Sequence, residues 1–214
     1  MDVSFLSVLL PMLFQGLKLT LLIAIVGITI GTVIGSLCGY ALQGRNKITK
    51  AVANTYIWII RATPLMVQAL YGYYVIPKLI GVDLDSTVVG IMVIALNSGA
   101  FISEIVKGAL LSVDPGQKEA SLSLGMSNAQ VMLHVIIPPA FKIALPALFN
   151  QFIISVKDTA LLSIIAVNEI THMGQNYAAL SFKTIGTYTT IAAFYLVLLS
   201  ILIVVQKKVE KKMR

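Results

Sequence analysis

SVDPGQKEASLSLGMSNAQVMLHVIIPP, residues Ser112 to Pro139, is the only long water-compatible stretch between otherwise apolar segments. It carries its own start and stop signals. Asp114 can cap a helix, Pro115 suits the first helical position because an N–H is not needed there, and Gln117 stands where a capping box places Glu or Gln. Gly125 ends that helix, since without a Cβ it adopts the left-handed stop conformation freely. Ser127 and Gln130 start a second helix, expected to run to Ile137 until Pro138 and Pro139 interrupt it. The stretch reads as helix, bend, helix, and it is either a plain connector or a surface offered to a partner in water.

On both sides of it the chain reads as membrane. Of 214 residues, 57% are hydrophobic and 12% charged, with a mean hydropathy of +0.90, outside the range of a soluble globular domain. Apolar runs of about 20 residues, enough to cross a hydrocarbon core of about 30 Å, fall at Leu17–Leu42, Ala51–Ile80, Thr87–Leu111, Leu145–Val167 and Tyr188–Val205. The expectation is an all-α integral membrane domain over residues 1–214, with five transmembrane helices and the 112–139 stretch on one side.

The net charge of +7 is not a nucleic-acid signature, because the basic residues neither interleave with aromatics nor gather on one polar domain. Eleven of the sixteen, namely Arg45, Lys47, Lys50, Lys107, Lys118, Lys142 and the five from Lys207 to Arg214, fall on one side if the spans alternate. Lys18, Lys78 and Lys183 fall on the other, and Arg61 and Lys157 lie inside spans. This asymmetry marks the side of the eleven as cytoplasmic, so the tail QKKVEKKMR is inside and an odd number of spans puts the N-terminus outside. The residues up to Met12 are expected as a short amphipathic helix on the outer surface. They lack the positive region and small-residue cleavage site of a removed signal peptide. Cys38 allows no internal disulfide and suits packing, and His134 and His172 lie on opposite sides, where they cannot share a metal.

Several features inside the spans break the apolar pattern. Gly27, Gly31, Gly35 and Gly39 leave a groove of bare backbone for close helix packing, within the subunit or between subunits. Arg61-Ala62-Thr63-Pro64 puts a guanidinium roughly 15 Å deep at 1.5 Å per residue, beside a proline that should kink its helix. Arg61 is either a functional group at a helix break or a side chain that snorkels to the cytoplasmic face. Asn97, Phe101 and Glu104 share one helical face, as do Gln151, Ser155 and Asp158, the last followed by Thr159. Two such stripes either line a cavity or form a hydrogen-bonded lock, and Glu104 has Lys107 one turn away as an alternative partner. The segment NEITHMGQNYAALSFKTIG belongs outside, as a gate or docking site.

No phosphate-binding GxxxxGK[ST] loop, helical HExxH or paired-cysteine motif is present, so the chain has no ATP-hydrolysing loop of its own. The 112–139 stretch resembles the cytoplasmic EAA loop of ATP-binding-cassette importer permeases: Glu-Ala-Ala, three residues, Gly, nine residues, Ile, any residue, Leu, Pro. Glu119, Ala120, Ser121, Gly125, Val135, Ile137 and Pro138 fit that spacing, with Ser121, Val135 and Ile137 as conservative departures. RATPLMVQ, NSGAFISEIVKGAL and KDTALLS resemble the branch serving polar amino acids, with Ala62 where that branch usually has glycine.

The resemblance implies a type I importer permease in a bacterial inner membrane and a non-enzymatic subunit. It implies a dimer with a second permease subunit, a partner ATPase that binds ATP and Mg, and an external substrate-binding protein. It assigns ATPase coupling to Glu119, Ala120 and Gly125, and gating or structural duty to Arg61, Thr63 and Pro64. Asn97, Phe101, Glu104, Asp158 and Thr159 are the candidate substrate contacts. Two buried acids lean toward a basic amino acid. A proton- or ion-coupled carrier titrating Glu104 and Asp158 is the competing class.

Overall fold

A computed structural model describes residues 4–44 and 46–213. Arg45 and Arg214, two of the eleven basic residues, and the first three residues of the opening stretch lie outside the described residues. The described chain is helical throughout, without a strand. In order, α1 is Leu6–Gln43, α2 Lys47–Ala62, α3 Leu65–Leu70, α4 Ile76–Ile80, α5 Ser86–Leu111 and α6 Pro115–Ser123. They are followed by α7 Asn128–Gln130, α8 Ile137–Asp158, α9 Ile170–Ser181 and α10 Thr184–Met213.

Among the described residues, four uninterrupted helical stretches are long and apolar enough to cross a membrane: Leu6–Gln43, Ser86–Leu111, Asn128–Ile165 and Thr184–Lys211. The expected second span, Ala51–Ile80, is not one helix. Thr63 is extended (φ −113°, ψ 136°), as a residue before proline prefers, so α2 stops and α3 starts afresh behind Pro64. From Leu65 the helix continues through a π turn at Tyr71–Val75 to Ile80.

The glycine groove shows where that broken unit goes. A Cβ at Gly35 would lie 2.7 Å from the Gly99 carbonyl oxygen, and one at Gly39 2.8 Å from that of Ser103, so the backbones of α1 and α5 touch. Along this contact Gly27 meets Ile94, Gly31 meets Ser98 and Gly39 meets Val106, so the two helices run parallel. Parallel neighbours require the chain between them to recross, which makes the α2–α4 unit the fifth traverse.

Two further expectations change. The opening residues form no separate surface helix, because Leu9 and Leu13 are fully buried against Ile170 and Ile191 and extend α1 into the bundle. The helix begun at Ser127 does not stop at Pro138. A π turn at Val131–Ile136 pairs the Ile137 N–H with the Met132 carbonyl five residues back, and this wider turn makes room for the two proline rings. The helix begun at Ser127 and the fourth span are therefore one continuous rod. Ala109, Val113, Val131, Ile136, Ala140 and Ala144 form a core that fixes the loop to α5 and α8.

Candidate functional site

The site is built at the break in the second traverse. Pro64 has no N–H for the Ile60 carbonyl, which would be its partner in an unbroken helix. Gln68 supplies the missing donor: its Nε2 lies 2.8 Å from Ile60 O, 3.0 Å from Thr63 O and 2.9 Å from Thr63 Oγ1. The Thr63 hydroxyl in turn donates to Ile59 O at 2.9 Å. One turn before Ile60, Tyr56 donates to the Leu96 carbonyl at 2.6 Å and holds α2 against α5.

A pocket of about 260 Å³ opens at the break, lined by Ile60, Arg61, Thr63, Leu65, Asn97, Phe101, Gln151, Ile154 and Asp158. The two polar stripes therefore do meet, from α5 and α8, with the broken helix as the third wall. The Arg61 guanidinium lies 5.4 Å from the Phe101 ring centroid, where the ring face attracts a cation, while the residue as a whole is exposed. Asn97 and Gln151 are buried, and Asn97 Nδ2 donates to Gln68 Oε1 at 3.4 Å. Arg61 and Asp158 border the same space without an ion pair between them. The pocket thus offers a cation, an anion and two amides, a set that fits a small zwitterion.

Two candidates lie elsewhere. Glu104 is absent from the lining and pairs with Lys107 at 3.7 Å. Thr159 is fully buried, opens a 3₁₀ turn after α8 and donates its hydroxyl to Val156 O at 2.8 Å.

The EAA-like loop lies at the opposite end of the bundle from α9. Asp114 accepts from Gly116 N, and Ser127 and Gln130 form the full reciprocal capping box. Gly125 has φ +83°, the left-handed stop that its position called for. Ser121 is the one buried residue of α6, and its hydroxyl donates to Gln117 O at 2.7 Å, so the replacement of alanine leaves no polar atom unpaired. Glu119, Ala120 and Leu122 are exposed, and Leu124 is 84% exposed.

Two residues escaped the sequence reading. Gln68 lay within a quoted motif without a role, and its position four residues after Pro64 was the available signal. Glu169 is 0% exposed and caps α9, accepting from Thr171 N, His172 N and the Tyr195 hydroxyl at 2.9, 2.6 and 3.0 Å. Burial raises its carboxyl to about 7, outweighing those three donors, which favour the charged form.

The chain matches the family described as binding-protein-dependent transport system inner membrane component over residues 27–214. It is 38% identical over 205 residues to the glutamine transport system permease protein GlnP of Escherichia coli (strain K12), covering 95% of this chain and 94% of that one. Identity to the arginine transport system permease protein ArtQ of Bacillus subtilis (strain 168) is 29% over 204 residues, 95% of this chain and 93% of that one. A crystal structure of an amino acid ABC transporter with histidines superposes with a TM-score of 0.90 at 35% identity, over 99% of this chain and 100% of that chain. An inward-facing MetNI methionine ABC transporter gives 0.77 at 18% identity over the whole of both chains, a likeness of fold alone. The proton-coupled carrier class falls away with these matches. The chain belongs to the binding-protein-dependent transport system inner membrane component family, and is a multi-pass, non-enzymatic permease subunit of an ATP-binding-cassette importer.

Proposed function

We propose that this subunit passes a polar amino acid through the pocket at the broken second traverse, in a dimer of such subunits driven by a partner ATPase that grips α6. The observation that carries the substrate class is the convergence of Arg61, Asn97 and Asp158 on one pocket. The substrate ammonium faces Asp158 and its carboxylate faces Arg61. With Glu104 engaged by Lys107, the charges at the pocket balance, and a neutral side chain fits it as well as a basic one. Relatives named for glutamine and arginine support that range. An external binding protein delivers the substrate, the N-terminus lies outside and the lysine-rich C-terminus inside, and ATP and Mg reside in the partner.

The test is uptake of radiolabelled L-glutamine and L-arginine by the importer reconstituted in proteoliposomes with its ATPase and binding protein. Losing a charge-assisted contact worth roughly 1.5–3 kcal/mol, Asp158→Asn lowers uptake by about tenfold or more, with the complex still assembled. Wild-type uptake by Asp158→Asn and Asn97→Ala returns both residues to structural duty. For coupling, Gly125→Pro demands φ near −65° where the chain has +83°, and it uncouples substrate-stimulated ATP hydrolysis from an inserted subunit. Glu119→Lys does the same by reversing the charge presented to the partner. Normal stimulation in both refutes the assignment of α6.

A further inference from the structure

Gln68 has one carboxamide and two tasks. Its Nε2 faces two backbone carbonyls, Ile60 O and Thr63 O, which only accept, so the orientation of this amide is forced. Thr63 Oγ1 already donates to Ile59 O and is an acceptor toward Nε2 as well. The carboxamide oxygen is therefore the atom that turns toward α5. There it meets the Asn97 amide, which must answer with Nδ2, at 3.4 Å. Asn97 is buried and borders the pocket, and with one N–H engaged by Gln68 its amide is oriented, leaving its carbonyl oxygen and second N–H for a ligand.

We propose that Gln68 is a positioning residue for the translocation pocket. By filling the donor vacancy that Pro64 leaves at Ile60, it locks the break and at the same time fixes the Asn97 amide so that its oxygen, in the pocket that Asp158 also lines, adds an acceptor for the ammonium end of the substrate. This rests on the pocket proposed above as the amino-acid site. It also gives a physical reason for an amide at position 68: leucine lacks both functions, and glutamate keeps the acceptor for Asn97 while losing the donor for Ile60 and Thr63.

The experiment is a double-mutant cycle in the complete reconstituted importer, with L-glutamine and L-arginine as probes and KM and kcat read separately. Gln68→Leu raises KM about fivefold, the scale of one hydrogen bond, and changes kcat less. Because Gln68 acts through Asn97, adding Gln68→Leu to Asn97→Ala raises KM no further than Asn97→Ala alone. Gln68→Glu gives a KM closer to wild type than Gln68→Leu does. If Gln68→Leu fails to assemble, Gln68→Glu carries the test by hydrogen exchange at the backbone N–H groups of Val67 and Gln68, which bond Pro64 O at 3.0 and 3.1 Å. Faster exchange there supports the lock, and unchanged exchange overturns it. Additive effects of Gln68→Leu and Asn97→Ala, or a wild-type KM in Gln68→Leu, overturn the proposal while leaving the pocket in place. Wild-type KM in Asn97→Ala removes Asn97 from the substrate site and is a failure of the pocket reading instead.

Discussion

Pro11 and Pro146 sit inside α1 and α8 without interrupting them, but at three other places proline changes the helix, and the contrast among these separates the pocket from the lever that is proposed to drive it. Pro77 and the pair Pro138–Pro139 each follow a π turn, Tyr71–Val75 in one case and Val131–Ile136 in the other, and the helix continues past them. Pro64 has no such turn before it. Thr63 goes extended, the helix ends, and side chains from Thr63 and Gln68 take over the abandoned carbonyls. A π turn preserves a rod by widening it locally, whereas a break satisfied by side chains makes polar groups part of a cavity wall. The first device suits transmission of motion from α6 into α8, and the second suits recognition of a ligand.

That contrast can be broken most directly at Pro64. Pro64→Ala restores the N–H for Ile60, releases Gln68 and draws α2 and α3 toward one continuous helix. Misplacing Arg61 by about 1 Å or more is expected to cost on the order of a hundredfold in uptake, measured in proteoliposomes with the assembled importer. Wild-type uptake would show that the break does not position the pocket. Pro138→Ala and Pro139→Ala sharpen the comparison from the other side. The rod is already continuous there, so each is expected to shift thermal stability by only about 1 kcal/mol or less, chiefly through the unfolded chain, with uptake unchanged. A large loss of coupling in either would mean that the prolines set the lever angle themselves.

A last effect, on stability rather than on uptake, concerns a buried acid outside the spanning helices. The Glu169 carboxyl is raised to about 7 in the folded protein against 4.5 in its absence, so the folded state holds the proton more tightly. Stability from this group is complete below about pH 4.5 and is lost as pH rises toward about 7. The melting temperature of the detergent-solubilised protein, compared with that of Glu169→Gln, should fall across this interval. Parallel melting profiles would show that the carboxyl does not titrate there.

The chain's own physics made the helical class, the water-facing loop and its bend at Gly125 legible, because caps, a glycine stop and apolar runs are local signals. The glycine stripe foretold close packing but not its partner, since a groove does not say which helix fills it. The two polar stripes foretold a meeting of Asn97 and Asp158. Glu104 was harder to place, because a helical face spans many degrees and Lys107 lay within reach. Helix ends at proline were the weakest expectation. Whether a proline breaks a helix depends on hydrogen bonds made by turns and side chains several residues away, as Gln68 shows. Glu169 became visible only once α1, α9 and α10 closed around it.

The parallel contact of α1 and α5 also bears on how the protein enters the bilayer. The second traverse, with Lys50, Asn54 and Arg61 along it, is the segment least content in lipid, and it is synthesised before α5 exists. Once α5 arrives, Gly31 can meet Ser98 and Gly39 can meet Val106 only if the intervening chain has already recrossed. A nascent chain that left this segment behind would offer α5 to the groove upside down, and the backbone contact would be unavailable. The α1–α5 backbone contact therefore exists only in a chain whose most polar segment has crossed back between them, so the packing of two apolar helices and the placement of the polar one are a single structural requirement.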